Sequence, residues 1–207
     1  YSEIKIIINQ FAYYDWSTKM NDKALIMIDY INDIIHPQGK IASCVNMIIN
    51  NQIINKANHV LSIARQNKYL IIWVKVAFSN NYIALSDNST IFKNAKNQQA
   101  LIQDSWGTDF ISDLNYNATE MIIIKNRINP FYATNLDLVL HTHNIQHIYV
   151  AGVSTEWAVE ATARDAHDRN YTVSIIKDLC ASSSQEAHDA SFKTMQRIAK
   201  IINSEEF

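Results

Sequence analysis

Apolar residues along the chain gather into short continuous runs instead of alternating with polar ones. Ala24–Ile28, Tyr69–Val76, Met121–Ile124, Ile148–Val153 and Tyr171–Ile176 are rich in β-branched side chains. Runs of this length and make-up predict strands covered on both faces. Between them the spacing becomes helical: Ile53, Ala57, Val60 and Ala64 share one face, as do Val159, Thr162, Ala163 and Ala166, and the stretch from Ser184 to Ile202 is helix-compatible throughout. Strand and helix alternate, which predicts an α/β fold on a parallel sheet. On the helix after Val153, Glu160–Arg164 and Arg164–Asp168 stand at i,i+4 and read as solvated surface pairs.

One stretch resists this pattern. Ser79–Asn117 is polar and Asn-rich, punctuated by Tyr82, Trp106 and Phe110, with no clear strand. It suits a segment covering a site or, equally, a surface excursion with a small aromatic core of its own. There is no internal repeat, low-complexity tract or linker, so the expected organisation is an N-terminal segment, 1–22, and a single domain, 23–207.

Composition narrows the partners. The 207 residues are 48% hydrophobic, enough for a sizeable core without disulfides. A formal charge of -2 argues against nucleic acid or an anionic membrane as partner. Cys44 and Cys180 are too few and too distant in sequence for a disulfide framework or a zinc cluster, which suits a reducing, cytoplasmic setting. No apolar run approaches the roughly 20 residues of a membrane span, and Ile4–Ile8 is too short and interrupted for a signal core.

In an open parallel sheet, ligands bind beyond the carboxyl ends of the strands, near the point where strand order reverses. Asp29 closes the first apolar run, Lys125 closes the third, and the turn Gly152-Val153-Ser154-Thr155 leads from the fourth into a helix. Singly, such an Asp caps a turn and such a Lys reaches solvent. Together, a carboxylate, an ammonium and a helix N-terminus delivered from three strand ends describe a pocket, and a partly buried Asp–Lys pair is more common at functional sites than in ordinary cores.

Three segments carry a resemblance: Ala24-Leu25-Ile26-Met27-Ile28-Asp29-Tyr30-Ile31-Asn32-Asp33, Lys125-Asn126-Arg127-Ile128-Asn129-Pro130-Phe131-Tyr132-Ala133-Thr134, and Val150-Ala151-Gly152-Val153-Ser154-Thr155-Glu156-Trp157-Ala158-Val159, followed by Thr162-Ala163-Arg164-Asp165-Ala166. In order and spacing they resemble the isochorismatase-like, or cysteine hydrolase, superfamily from residue 23 to about 200. The resemblance implies a Rossmann-like three-layer α/β/α sandwich with a mostly parallel central sheet, Asp29 as acid/base, Lys125 as the group that positions or polarises substrate, and a cis peptide between Val153 and Ser154 that helps aim the Ser154 and Ala158 backbone N–H groups at an oxyanion. It also implies a small-molecule substrate, with Phe131 the aromatic that best matches the family's pattern for contacting it; Trp157 is a second candidate because it adjoins Ala158, and Trp73, Phe78 and Trp106 read as core packing. By the same analogy the assembly is a homodimer or homotetramer.

The chain departs from this pattern where it matters for chemistry. Most amide-cleaving members carry a Cys where this chain has Ala158, and a methyl group cannot attack a carbonyl. Cys44 and Cys180 read as packing thiols. Ala158 fits three readings: hydrolysis of a vinyl ether or C–N bond by water, a silent small-molecule binder, or an amidohydrolase inactivated by Cys-to-Ala exchange. The turn Gly-Val-Ser-Thr-Glu-Trp-Ala-Val is closer to the amidase-like members than to dedicated isochorismatases.

No cofactor is expected. The segment Trp73–Ser79 lacks the His residues with which related nicotinamidases bind metal. His141, His143 and His147 read as a helix end without a nearby carboxylate. No Gly-rich turn follows Asp29, which sets aside NAD and ATP, and no Gly-x-Ser-x-Gly elbow accompanies Asp178, Ser182, Ser183 and Ser184, whose serines suit capping of the last helix.

Overall fold

All five apolar runs become strands: β1 (Lys23–Ile28), β2 (Leu70–Val76), β3 (Met121–Lys125), β4 (His147–Gly152) and β5 (Thr172–Ile176). With β6 (Lys200–Ile202) they form one sheet in the order β3-β2-β1-β4-β5-β6, every pairing parallel. The computed structural model describes residues 21–207, so Ile4–Ile8 and all but the last two residues of the expected N-terminal segment lie outside it. Seven helices are present among the described residues: α1 (Asn32–Ile35), α2 (Val45–Asn50), α3 (Ile53–Gln66), α4 (Thr90–Asn97), α5 (Leu136–Thr142), α6 (Glu160–Asp168) and α7 (Gln185–Met195).

Strand β1 shows why the runs do not alternate. Ala24, Ile26 and Ile28 pack on one face with Leu136 and Leu140 of α5 and Ala163 and Ala166 of α6. Leu25 and Met27 pack on the other with Ile53, Ala57, Val60 and Leu61 of α3. Successive side chains point to opposite faces, and helices cover both, so every position is apolar. The result is the three-layer α/β/α sandwich. The sheet reverses order between β1 and β4, and the ends of β1, β3 and β4 face the same side.

Three expectations need correction. Helix does not run from Ser184 to Ile202: α7 ends at Met195 and β6 pairs with β5, Ile175 opposite Ile201. Burial of Ile202 and coverage of the otherwise bare β5 edge outweigh local helix preference. Arg164 pairs with Glu160 at 2.6 Å, whereas Asp168 meets His167. Glu160 is also more than a surface group, because its second oxygen accepts from Ser191 of α7 at 2.6 Å and ties α6 to α7. Finally, His141 does have a carboxylate nearby, Asp137 one turn earlier at 3.6 Å, and His147 starts β4, bonded to Ser174 and stacked on Tyr149.

The stretch Ser79–Asn117 combines both of its anticipated characters. Tyr82, Phe92 and Leu101 form an apolar cluster with Ile31, Val76 and Phe78, and the segment folds over the carboxyl ends of β1 and β2. Asp33, buried at the start of α1, fastens it: Oδ2 accepts from the Leu101 N–H at 2.7 Å.

Candidate active site

Asp29 follows β1 in the left-handed region, φ 58°, which Asp tolerates better than most side chains. Its own N–H donates to the Val74 carbonyl at 2.8 Å, continuing the β1–β2 ladder, while the chain turns sharply enough to aim the side chain across the strand ends. Lys125 Nζ donates to Asp29 Oδ2 at 2.7 Å and the Val76 N–H donates to Oδ1 at 2.7 Å. Both side chains of the ion pair are almost wholly buried, 2% and 4% exposed. Burial pushes the Asp29 carboxyl upward, against the opposing pull of Lys125 and the Val76 amide.

The third contribution comes from β4. Gly152 adopts φ +152° and lies against β1, where a Cβ would collide with the Ile28 carbonyl oxygen. The Val153–Ser154 peptide is cis, and residues Thr155–Val159 then form a single π-helical turn leading into α6. That turn is held from behind. Thr155 Oγ1 donates to the Ala181 carbonyl and shares a 2.8 Å hydrogen bond with buried His188 Nδ1 of α7. Burial lowers the His188 pKa, favouring the neutral ring for this contact.

These pieces enclose a cavity of about 80 Å³ whose walls include Asp29, Lys125, Ser154, Trp157 and Ala158. Trp157 is half exposed at its rim. The remaining wall is apolar: Ile91, Phe92, Ala95 and Leu101 come from the covering segment, Ile34 and Ile41 from α1 and the loop after it, Val76 and Val153 from the ends of β2 and β4, and Ile128 from the loop after β3. The sequence-selected Asp29, Lys125, Ser154, Trp157 and Ala158 are thus brought together. Phe131 is not: it lies in the core beneath the sheet, stacked on Tyr171 with the Arg169 guanidinium over its ring. Trp73 and Phe78 are core residues, and Trp106 packs edge-on to His36.

The sequence gives no sign of Phe92, Leu101 and Ile128 as cavity residues: Phe92 depends on where α4 is laid over the strand ends, and Leu101 and Ile128 on loop paths without periodic signal. The Val76 contribution is a backbone N–H, and side-chain identity does not encode it. Asp33 was legible only as part of the Asp29–Asp33 motif, without its function as a fastening. The thiols differ in setting. Cys180 donates to the Ile176 carbonyl and burial pushes its pKa up to about 12. Cys44 is also buried, with its pKa raised, yet its Sγ lies 3.5 Å from Ser154 Oγ, so it packs directly behind the turn. Among the described residues no group of three or more His, Cys, Asp or Glu side chains is arranged to hold a metal ion, and no helix is long and apolar enough to cross a membrane.

YaaI of Bacillus subtilis (strain 168), an isochorismatase family protein, is 28% identical over 191 residues, covering 89% of this chain and 96% of YaaI. The crystal structure of an isochorismatase-like hydrolase from Alkaliphilus metalliredigens superposes with TM-score 0.76 at 24% identity, covering 89% of this chain and 96% of that one. N-carbamoylsarcosine amidase from Thermoplasma acidophilum shares the fold with TM-score 0.72 at 21% identity, covering 89% and 98%. The isochorismatase domain family matches residues 23–206, nearly the whole described structure; the chain belongs to that family.

Proposed function

We propose that this protein hydrolyses a small molecule at a C–N or vinyl-ether bond with water as the attacking species and no covalent intermediate. The observation that carries this reading is the buried Asp29–Lys125 pair at 2.7 Å facing a cavity whose floor at position 158 is a methyl group. For an amide, water adds to the carbonyl carbon, Asp29 accepts one of its protons and passes it to the leaving nitrogen, and the C–N bond breaks. For a vinyl ether, Asp29 delivers its proton to the vinyl carbon, water adds to the oxygen-bearing carbon and returns a proton to Asp29, and the hemiketal collapses to a carbonyl and an alcohol. Lys125 holds Asp29 in place and offsets negative charge as it develops. The N–H groups of Ser154 and Ala158 serve as oxyanion donors, and Trp157 covers the reacting group.

The upward-shifted Asp29 carboxyl suits a proton carrier, and the amidase among the structural neighbours lends weight to the C–N arm. The test is a panel of small amides, ureides and vinyl ethers assayed with wild type and Asp29→Asn. Product formation that falls about 100-fold or more in the variant is the expected result. Absence of product with every compound at every pH favours a second reading, prompted by Ala158: a small-molecule binder that keeps the pocket without the chemistry. That reading predicts thermal stabilisation growing with ligand concentration and no product.

A further inference from the structure

A cavity of about 80 Å³ admits little more than the reacting group itself. An apolar cavity of about 150 Å³ is the size that accepts benzene. The body of any larger substrate must therefore lie elsewhere, and a second hollow of about 430 Å³ adjoins the first, with Phe92 and Ile128 lining both. Arg127 lines this outer hollow, two residues after Lys125, so their Cα atoms are separated by at most about 7 Å.

Arg127 Nη1 donates to the carbonyls of Ala84 and Asn126, both at 2.7 Å, which fixes the guanidinium in the wall. No carboxylate pairs with it or with Arg197 among the described residues, whereas Arg65, Arg164 and Arg169 each hold at least one; of the two, Arg127 is the one that lines a hollow. The polar side chains that line the hollow with it, Ser86, Asn88, Ser89, Asn129 and Tyr132, are uncharged; Asp87, next to Ser86 and Asn88, is not among them, and Asp165, which accepts from Asn129, is paired with Arg169. The first turn of α4, capped by Ser89, adds a weak positive potential on the same hollow. A fixed, partly buried guanidinium without a counter-ion, beside a reacting-group cavity, is suited to a planar anion.

We infer that Arg127 is a specificity-determining residue that receives a carboxylate carried by the substrate a few bonds from the one that reacts. The inference rests on the assignment of the reacting bond to the Asp29–Lys125 cavity. Its test compares succinamic and glutaramic acids, each a primary amide with a terminal carboxylate, against the uncharged diamides succinamide and glutaramide. Affinity is read by calorimetry at low ionic strength, and ammonium release is followed separately. At least one acid is expected to bind about tenfold more tightly than its diamide. The preference collapses in Arg127→Ala and is partly kept in Arg127→Lys, which retains charge but not the fork; loss in both to the same degree would instead indicate a loosened loop and overturn the assignment. Equal affinity for acid and diamide, no binding by either, or a preference that survives Arg127→Ala also overturns it. Selective binding without ammonium release leaves Arg127 in this role and removes the amide arm of the proposed reaction.

Discussion

Asp29 and Val76 meet through a 2.7 Å hydrogen bond from the Val76 N–H to Asp29 Oδ1, leaving Oδ2 to Lys125. The two carboxylate oxygens thus have separate tethers, one to the backbone at the end of β2 and one to a side chain at the end of β3. Rotation of the carboxyl would break both bonds. Lys125 depends on the same arrangement, because it is buried and Asp29 is the carboxylate that offsets its charge. Replacing Asp29 by Ala leaves that charge uncompensated and is expected to destabilise the fold by about 3–5 kcal/mol, measured by denaturant unfolding. Asp29→Ala combined with Lys125→Met should recover a substantial part of the loss; equal destabilisation in single and double variants would show that the pair is not coupled.

The raised Asp29 carboxyl sets the sign of a pH effect. Its folded-state pKa lies above the unfolded value of about 3.9. Its stabilising contribution is therefore fully present below that unfolded value and declines as pH rises through the folded one. Stability of wild type relative to Asp29→Asn should fall from pH 4 upward and then level off. A stability difference that instead grows as pH rises would reverse the assigned direction. If Asp29 donates its proton in the rate-limiting step, turnover loses activity over the same alkaline-going window.

Position 158 provides a test of the turn as an activating environment. The N–H groups of the π-helical turn and the nearby Lys125 ammonium favour a thiolate there. Ala158→Cys is expected to take up one equivalent of iodoacetamide near neutral pH, while Cys44 and Cys180, buried with raised pKa values, stay unlabelled in the folded wild type. Mass spectrometry of the intact protein reads both results. An unlabelled variant would mean that the turn does not activate a sulfur.

Gly152 joins β4 to that turn at a place where only hydrogen fits. Gly152→Ala pushes a methyl into the Ile28 carbonyl of the neighbouring strand at a positive φ. A loss of about 3 kcal/mol or more is expected, read as a lowered denaturant midpoint. A change below about 0.5 kcal/mol would show that β1 and β4 can separate locally without cost.

The covering segment is held by bonds from Asn32 to the Trp106 and Asp109 carbonyls and from Lys75 to the Thr108 carbonyl, and at Leu101 by the Asp33 carboxylate. Asp33→Ala removes the acceptor for the Leu101 N–H and is expected to cost about 1–3 kcal/mol. Faster hydrogen exchange at Leu101 and weaker binding in the cavity should accompany it, since Leu101 lines the wall. Unchanged exchange at Leu101 would show that the cover's other hydrogen bonds and its apolar packing hold it in place without Asp33.

Local pattern was enough to locate the strands, because a strand buried on both faces must be apolar at every position, and β1 to β5 each satisfy that rule within a residue or two. The same reading selected Asp29, Lys125 and the Gly152-Val153-Ser154-Thr155 turn, since residues directly after such runs stand at the sheet's binding edge; Ser154 itself is singled out by the family resemblance. What it left undecided depended on contacts distant in sequence. Ile201 and Ile202 joined the sheet because β5 offered an edge, which helix propensity in that segment does not register. Phe131 turned into the core through the course of the loop after β3, and Phe92 into the cavity because α4 lies over the strand ends, a placement that its local sequence does not specify. The separation of 96 residues between Asp29 and Lys125 closes to 2.7 Å only through parallel pairing of β1, β2 and β3. Residue type fixed which groups were available for chemistry, and tertiary packing decided which of them share a cavity.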